Sequence, residues 1–246
     1  MTTERASRQA LNEPIREAAH AKPHPNRGSG RVTARPPRLV RAGLWLLPTY
    51  GAMLALSTLS HQPSFRSDFP GYARYITTDA FLASHLALSI GSAVVGSVAL
   101  LSLVIHLRTG RAATTAYVGA AVTVAANITS TAVFGAAAFA QPAIGRAYLA
   151  GMDGVEELNA DIYGPTLDAT ASIGILLFIV GGLILGTAIT RTSRGLHWMG
   201  IGYVLSMVAF LVTGVFAPEG QTVSAAALAA VSVAIAWRLP RDTSAR

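Results

Sequence analysis

Four of the six histidines in this sequence, one asparagine and a short series of carboxylates are the side chains whose type and spacing could do chemistry. His85 and His106 lie 21 residues apart, roughly 31 Å along a helix and about one hydrocarbon thickness of a bilayer. His61 and His197 fall at the ends of other apolar runs. An outer pair (His61 with His85) and an inner pair (His106 with His197) can therefore be drawn. That resembles the layout of a two-haem b-type cytochrome, whose axial ligands are histidines on facing helices. Three of the four sit at run ends, where an imidazole stays solvated, and His85 alone is placed inside at depth. Asn127 lies midway along an apolar run and is followed by Thr129, Ser130 and Thr131. An amide at membrane depth needs a partner: it makes one interhelical hydrogen bond, or it lines a path for a small solute. Asp153, Glu157 and Asp161 recur at every fourth residue with Glu156 adjacent, so a helix would align them. Divalent cations favour clustered carboxylates, but no glycine-bearing ligand loop accompanies these. A solvated acidic face is the expectation, and no metal site.

What is missing narrows the chemistry further. The chain has no cysteine, which removes disulfides, Cys-ligated zinc, iron–sulfur clusters and thiol nucleophiles. It holds no P-loop, no HExxH, no Rossmann glycine fingerprint and no GxSxG. No catalytic residue, no enzymatic activity and no cofactor are expected. Lys, Arg, Asp and Glu are absent from the centre of every apolar run, which argues against ion-coupled transport, where buried carboxylates mark the route. The polar candidates left to be positioned are His85 and Asn127.

The elements that must position them are read from the apolar pattern. Of the 246 residues, 52% are hydrophobic and 13% charged, with a mean hydropathy of +0.46. A soluble domain carries about a quarter charged residues, so this chain has too few to coat a water-facing surface. Six apolar runs stand out: Gly43–Ser60, Ala80–Leu107, Ala112–Ala140, Leu167–Thr190, Leu196–Ala217 and Val223–Trp237. Spanning takes about 20 apolar residues. The second and third runs are longer and imply tilt or protruding ends; the sixth is short, with Trp237 and Arg238 as boundary anchors. None alternates with period 2, and stretches of this length satisfy their backbone in lipid only as helices. The fold class expected is an all-α polytopic transmembrane bundle of six spans. A cleaved signal peptide is the competing reading of the first run, but a 42-residue lead is long and Trp45, Pro48 and Tyr50 suit an ordinary span. Gly182 with Gly186, and Ser92 with Gly96, form small-xxx-small pairs that serve helix packing within the bundle or a dimer seam. Each odd-numbered run reaches a proline at its far end (Pro63, Pro142, Pro218), a hint of three helical hairpins.

Charge assigns the ends. Residues 1–42 hold nine of the 19 basic residues and three of the 12 acidic ones. Their five prolines and lack of apolar period predict a disordered tail, beyond a frayed surface helix over residues 3–20. If that tail is cytoplasmic, the inner segments carry sixteen basic residues and the outer ones only Arg66, Arg74 and Arg146. This split predicts both termini inside and a plasma-membrane location. The organisation expected is a basic cytoplasmic tail (1–42), a six-helix membrane domain (43–237) and a short cytoplasmic tail (238–246). The largest outer loop is expected from Gln141 to Thr166, bracketed by Tyr148 and Tyr163 as interfacial anchors. Partners expected are the lipid bilayer and, through the basic tail, anionic lipids. No nucleic acid is expected, because the pI of 10.4 reflects a basic tail on an apolar body.

The stretches 60–91 (SHQPSFRSDFPGYARYITTDAFLASHLALSIG), 134–151 (FGAAAFAQPAIGRAYLAG), 160–170 (ADIYGPTLDAT) and 176–189 (LLFIVGGLILGTAI) resemble small uncharacterised integral membrane proteins of high-GC Gram-positive bacteria, grouped under a domain of unknown function. The resemblance covers about residues 43–237. It implies a six-helix membrane bundle and brings no activity and no functional residue. Three functions remain open at this stage: a non-enzymatic accessory, scaffold or stress-response component; a small-solute transporter or channel lined by Asn127 and His85; and a haem-bearing redox protein.

Overall fold

Apolar runs removed from water must satisfy their own backbone groups, and every one of these runs folds as a helix. The computed structural model describes residues 37–60 and 62–244. The first 36 residues, which hold most of the basic tail, lie outside the described residues, as do His61 and the last two. Among the described residues there is no strand.

Eight helices carry the fold. α1 (Arg38–Ser57) is the first span, with a turn at Trp45. α2 (Phe69–Ile76) is a short amphipathic helix, started by Asp68, which accepts from the Gly71 N–H at 2.8 Å, and by Pro70 in its first turn. α3 (Asp79–Leu107) is the second span, capped by the Thr78 hydroxyl on the Phe81 N–H at 3.2 Å. α4 (Ala113–Leu149) is the third. α5 (Val155–Ile162) is a short connector, and α6 (Pro165–Thr192), α7 (His197–Phe216) and α8 (Gln221–Ser244) are the fourth, fifth and sixth spans. By length and hydropathy six helical segments suffice to cross a membrane, as the apolar runs predict.

The spans pack in chain order, each on the next, and α8 returns to α1. The result is a closed ring of antiparallel neighbours. Its two ends differ. At one end gather the starts of α1, α4 and α7 and the ends of α3, α6 and α8, with Arg38, Arg41, Arg108, Arg111, Arg191, Arg194, Arg238 and Arg241; this is called the arginine end. Inside that half the ring is filled: Leu44, Leu103, Leu185, Ile189, Leu196, Ile235 and Leu239 are all buried in one cluster. At the opposite end a second cluster, built from Phe69, Tyr72, Ile76, Phe81, Ile144 and Val155, clamps α2 onto the protruding end of α4.

Several boundaries differ from those read in the sequence. The third helix runs nine residues past Ala140, to Leu149, with Pro142 inside it. Pro142 therefore does not mark a helix end, and the three-hairpin repeat loses its middle member. At 37 residues this helix is about 55 Å long and outreaches a hydrocarbon core of about 30 Å; the excess carries the α2 cap. The stretch Gln141–Thr166 is accordingly mostly helix. Asp153 falls before α5, so only Glu156, Glu157 and Asp161 of the acidic series share a helix. Tyr148 and Tyr163 turn inward to the cap, with ring centroids 4.8 Å from Phe69 and 6.0 Å from Phe65. Residues 38–42 already belong to the first span and residues 238–244 continue the last, because a helix at a membrane boundary keeps its own hydrogen bonds after the apolar run stops.

Within the cap, the Tyr72 hydroxyl donates to Asn159 Oδ1 at 3.1 Å, both side chains being fully buried. Burial, and the nearby Tyr163, push the Tyr72 phenol well above its usual range. It stays protonated, and the bond persists, at any physiological pH.

Both small-xxx-small pairs face neighbours within the ring. A Cβ on Gly96 would meet the Tyr50 ring of α1 at 2.9 Å, and one on Gly182 would meet Met207 of α7 at 3.1 Å. At Gly186 and Gly200, α6 and α7 cross backbone to backbone: a Cβ on Gly200 would stand 2.5 Å from the Gly186 carbonyl oxygen.

Candidate ligand cavity

The half of the ring away from the arginine end is hollow. A cavity of about 740 Å³ lies there, and all six spans contribute to its wall, a size suited to a small organic ligand. Ser60, Gln62, Pro218 and Glu219, which belong to the connections after α1 and α7, lie at its mouth. Its floor is set by Tyr50, Ala93, Asn127 and Met207. Below that floor the leucine-rich cluster closes the ring. Asn127 is 14 residues from the start of α4, roughly 21 Å along the axis, so the cavity is blind and ends near the middle of a bilayer-thick bundle.

His85 and Asn127, on different helices, both line this one cavity. His85 stacks on Phe81 with ring centroids 4.2 Å apart and places Nδ1 3.0 Å from the Phe81 carbonyl oxygen. A carbonyl only accepts, so Nδ1 carries the proton; in the neutral ring Nε2 is then an acceptor. Asn127 is 3% exposed. Its amide nitrogen donates to the Ala93 carbonyl at 3.3 Å and to Ser97 Oγ at 3.2 Å, which leaves its carbonyl oxygen as the group it can turn to the cavity.

Four serine hydroxyls on the lining follow the same rule. Ser57 Oγ donates to the Leu54 carbonyl at 2.8 Å, Ser84 Oγ to the Ser57 carbonyl at 3.1 Å, Ser89 Oγ to the Ser84 carbonyl at 3.1 Å and Ser92 Oγ to the Ser89 carbonyl at 2.7 Å. Each spends its one proton on the backbone and keeps oxygen lone pairs. Ser84–Ile90 forms a π-helical segment of α3. Its wider turn lets Ser89 reach back five residues, and π segments recur at functional sites. The lining also holds Phe178, Phe210, Met207 and Leu211 from the fourth and fifth spans, and Phe134, which meets His85 edge to face with centroids 6.2 Å apart. The lining thus combines apolar side chains with a cluster of acceptors around His85, Asn127 and these four serines, and Gln62, Ser130 and Gln221 add groups that can donate as well as accept.

Charge grades along the same axis. The end with the mouth carries Asp68, Asp79, Asp153, Glu156, Glu157, Asp161, Asp168 and Glu219 against three arginines, Arg66, Arg74 and Arg146. Glu219 is the charged side chain on the cavity lining itself. An excess of carboxylates around a low-dielectric opening focuses a negative potential on it.

Of the other histidines only His106 and His197 are described, and neither joins the site. His106 hydrogen-bonds to the backbone of Leu239, and His197 packs edge-on against Trp198 with centroids 5.5 Å apart. Among the described residues no group of three or more His, Asp or Glu side chains converges on a metal-sized site.

The serines were legible but unclaimed in the sequence. His85, Ser89, Ser92 and Gly96 follow one another at i, i+4, i+7 and i+11, one face of a helix, in a mostly apolar run. Ser57 and Glu219 carry no such signal, because they reach the cavity only through ring closure. The chain matches no protein-family model, no curated protein and no solved structure.

Proposed function

We propose that this protein is a small-solute transporter of the plasma membrane, with the cavity as its binding site in a state open at one end. The ligand class is an amphipathic organic amine: an ammonium or other donor-bearing head for the acceptor cluster and an apolar body for the phenylalanines. The observation that carries this reading is the direction of the hydrogen bonds. His85, Asn127, Ser57, Ser84, Ser89 and Ser92 all give their protons to the protein and keep acceptors free for a guest. A site near the midplane, at the junction of helices, is where secondary transporters bind their substrates. Aromatic faces add attraction for a cation.

The arginine distribution supports an orientation with both termini cytoplasmic, so the acidic mouth faces outward and attracts cations from outside. The reading is non-enzymatic. His85 bonds to the Phe81 backbone, and the neighbouring serines donate to carbonyls, so no hydroxyl nucleophile is handed to a base. It needs no cofactor. It displaces the scaffold reading, for which a filled bundle would serve.

A matched ligand series tests it: 2-phenylethylamine, 2-phenylethanol and phenylacetate share a body and differ in the head. The amine is expected to raise the unfolding temperature most, the alcohol less and the carboxylate not at all. At a hundredfold excess over Kd the bound ligand adds about 2.7 kcal/mol of stability. Asn127→Leu should weaken the amine effect while costing the empty protein less than about 2 kcal/mol. Uptake of the labelled amine into proteoliposomes then separates carriage from static binding. Phenylacetate stabilising as well as the amine would refute the ligand class.

A further inference from the structure

We infer that the seam between the first and last spans, at the arginine end, is a binding site for the phosphate of an anionic phospholipid. A second pocket of about 280 Å³ opens there, lined by Arg38, Arg41, Trp45, Trp237 and Arg241 with Pro240 behind. It is separate from the ligand cavity, and this inference stands apart from the amine reading.

The two helices supply the residues in mirrored order. On α1, Arg38 and Arg41 precede Trp45; on α8, which runs the opposite way, Trp237 precedes Arg241. Both strands of the seam therefore place arginine at the outer level and tryptophan about one turn deeper, a step of roughly 5–6 Å. The indoles meet edge to face with centroids 6.4 Å apart. The Arg241 guanidinium lies over the Trp237 ring at 3.8 Å and also donates to the Trp237 carbonyl, which fixes it in place. Among the described residues no carboxylate pairs with Arg38, Arg41 or Arg241, and all three are exposed. Exposed guanidiniums with no carboxylate partner, facing a concavity, suit the planar, bidentate recognition of phosphate oxygens.

The layering selects a lipid over a free anion. Indoles favour the membrane–water interface, with an apolar body toward the chains and a polar edge toward the headgroups, and guanidiniums reach outward to the headgroups. Trp45 and Trp237 are about half exposed beside the lipid-facing surface of the ring, so an acyl chain can continue from the pocket along α1 and α8. Phosphate alone would use the guanidiniums and leave the indoles unused. Basic pockets between membrane helices are known hosts of anionic headgroups.

The test uses the full chain in nanodiscs holding one part phosphatidylglycerol to nine parts phosphatidylcholine, with co-retained lipid counted by native mass spectrometry. Phosphatidylglycerol is expected to make up about half of the co-retained lipid, roughly fivefold above its bulk fraction, the gain that one guanidinium near an anionic surface supplies. In Arg38→Gln/Arg41→Gln/Arg241→Gln the enrichment should fall to that of the bulk, while Arg108→Gln/Arg111→Gln keeps it. Trp198→Phe protein supplies a second readout, since only Trp45 and Trp237 then remain. Its fluorescence should be quenched more by dibrominated phosphatidylglycerol than by dibrominated phosphatidylcholine. Equal enrichment in the triple variant, equal quenching by the two lipids, or displacement of the lipid by inorganic phosphate at millimolar concentration would each overturn the assignment.

Discussion

Ser130→Trp is expected to lower amine affinity by roughly tenfold or more, about 1.4 kcal/mol or above, while the protein remains folded. Ser130 lies on the cavity wall of α4, close to Gly174 of α6. An indole turned away from Gly174 enters the about 740 Å³ beside it. Overpacking is costly because a filled core has no room; here the room exists, and the added apolar surface leaves water. Stability of the unliganded protein should hold or rise, and proteoliposome uptake should fall in step with affinity. Calorimetric titration of the amine into wild-type and variant protein checks the first effect, and a thermal melt of the empty protein checks the second. A variant that melts unchanged and binds the amine as wild type does would place the ligand elsewhere.

Gly200→Leu should do the reverse and disrupt the protein without touching the cavity. A Cβ at Gly200 would stand 2.5 Å from the Gly186 carbonyl oxygen and 2.8 Å from the Thr190 amide nitrogen. Where side chains can move aside, overpacking costs about 1–3 kcal/mol. Backbone cannot move aside, so α6 and α7 must separate, and the expected loss exceeds about 3 kcal/mol. In a ring every seam closes the whole: opening this one frees α7 and α8 from α6 together. Size-exclusion profiles and melting in detergent measure it. Gly135→Leu is the control, since nothing lies within 4 Å of a Cβ there; it should be tolerated. A monodisperse Gly200→Leu protein with wild-type melting would contradict the crossing.

The two variants show what pattern could and could not reveal. The six helices follow directly from apolar length, because lipid leaves the backbone one solution. Their ends did not, since Pro142 and the polar residues up to Leu149 read as a loop and fold as helix once α2 packs against them. His85 and Asn127 were legible as polar residues in apolar runs, but their meeting at one cavity depends on a ring in which α8 returns to α1, and periodicity along a chain carries no information about closure. The haem layout drawn from four histidines illustrates the same limit. Spacing placed His106 and His197 at one end, and packing then gave the first to Leu239 and the second to Trp198. The acceptor character of the site was the least visible feature, because it depends on which carbonyl each hydroxyl finds.

The hollow itself can be probed directly, because the chain has no cysteine of its own. Single cysteines at Ser57, Ser130, Ser232 and Thr109 would be exposed to a membrane-impermeant methanethiosulfonate in intact cells and after permeabilisation. Ser57→Cys at the upper wall and Ser130→Cys deeper in should react in intact cells, and the amine should slow the second. Ser232→Cys, buried on α8 at 1% exposure, should react in neither condition, and Thr109→Cys at the arginine end only after permeabilisation. A Ser130 cysteine that stays unreactive from outside while Ser57→Cys reacts, or one reached only from the arginine side, would contradict a water-filled cavity opening away from the arginines.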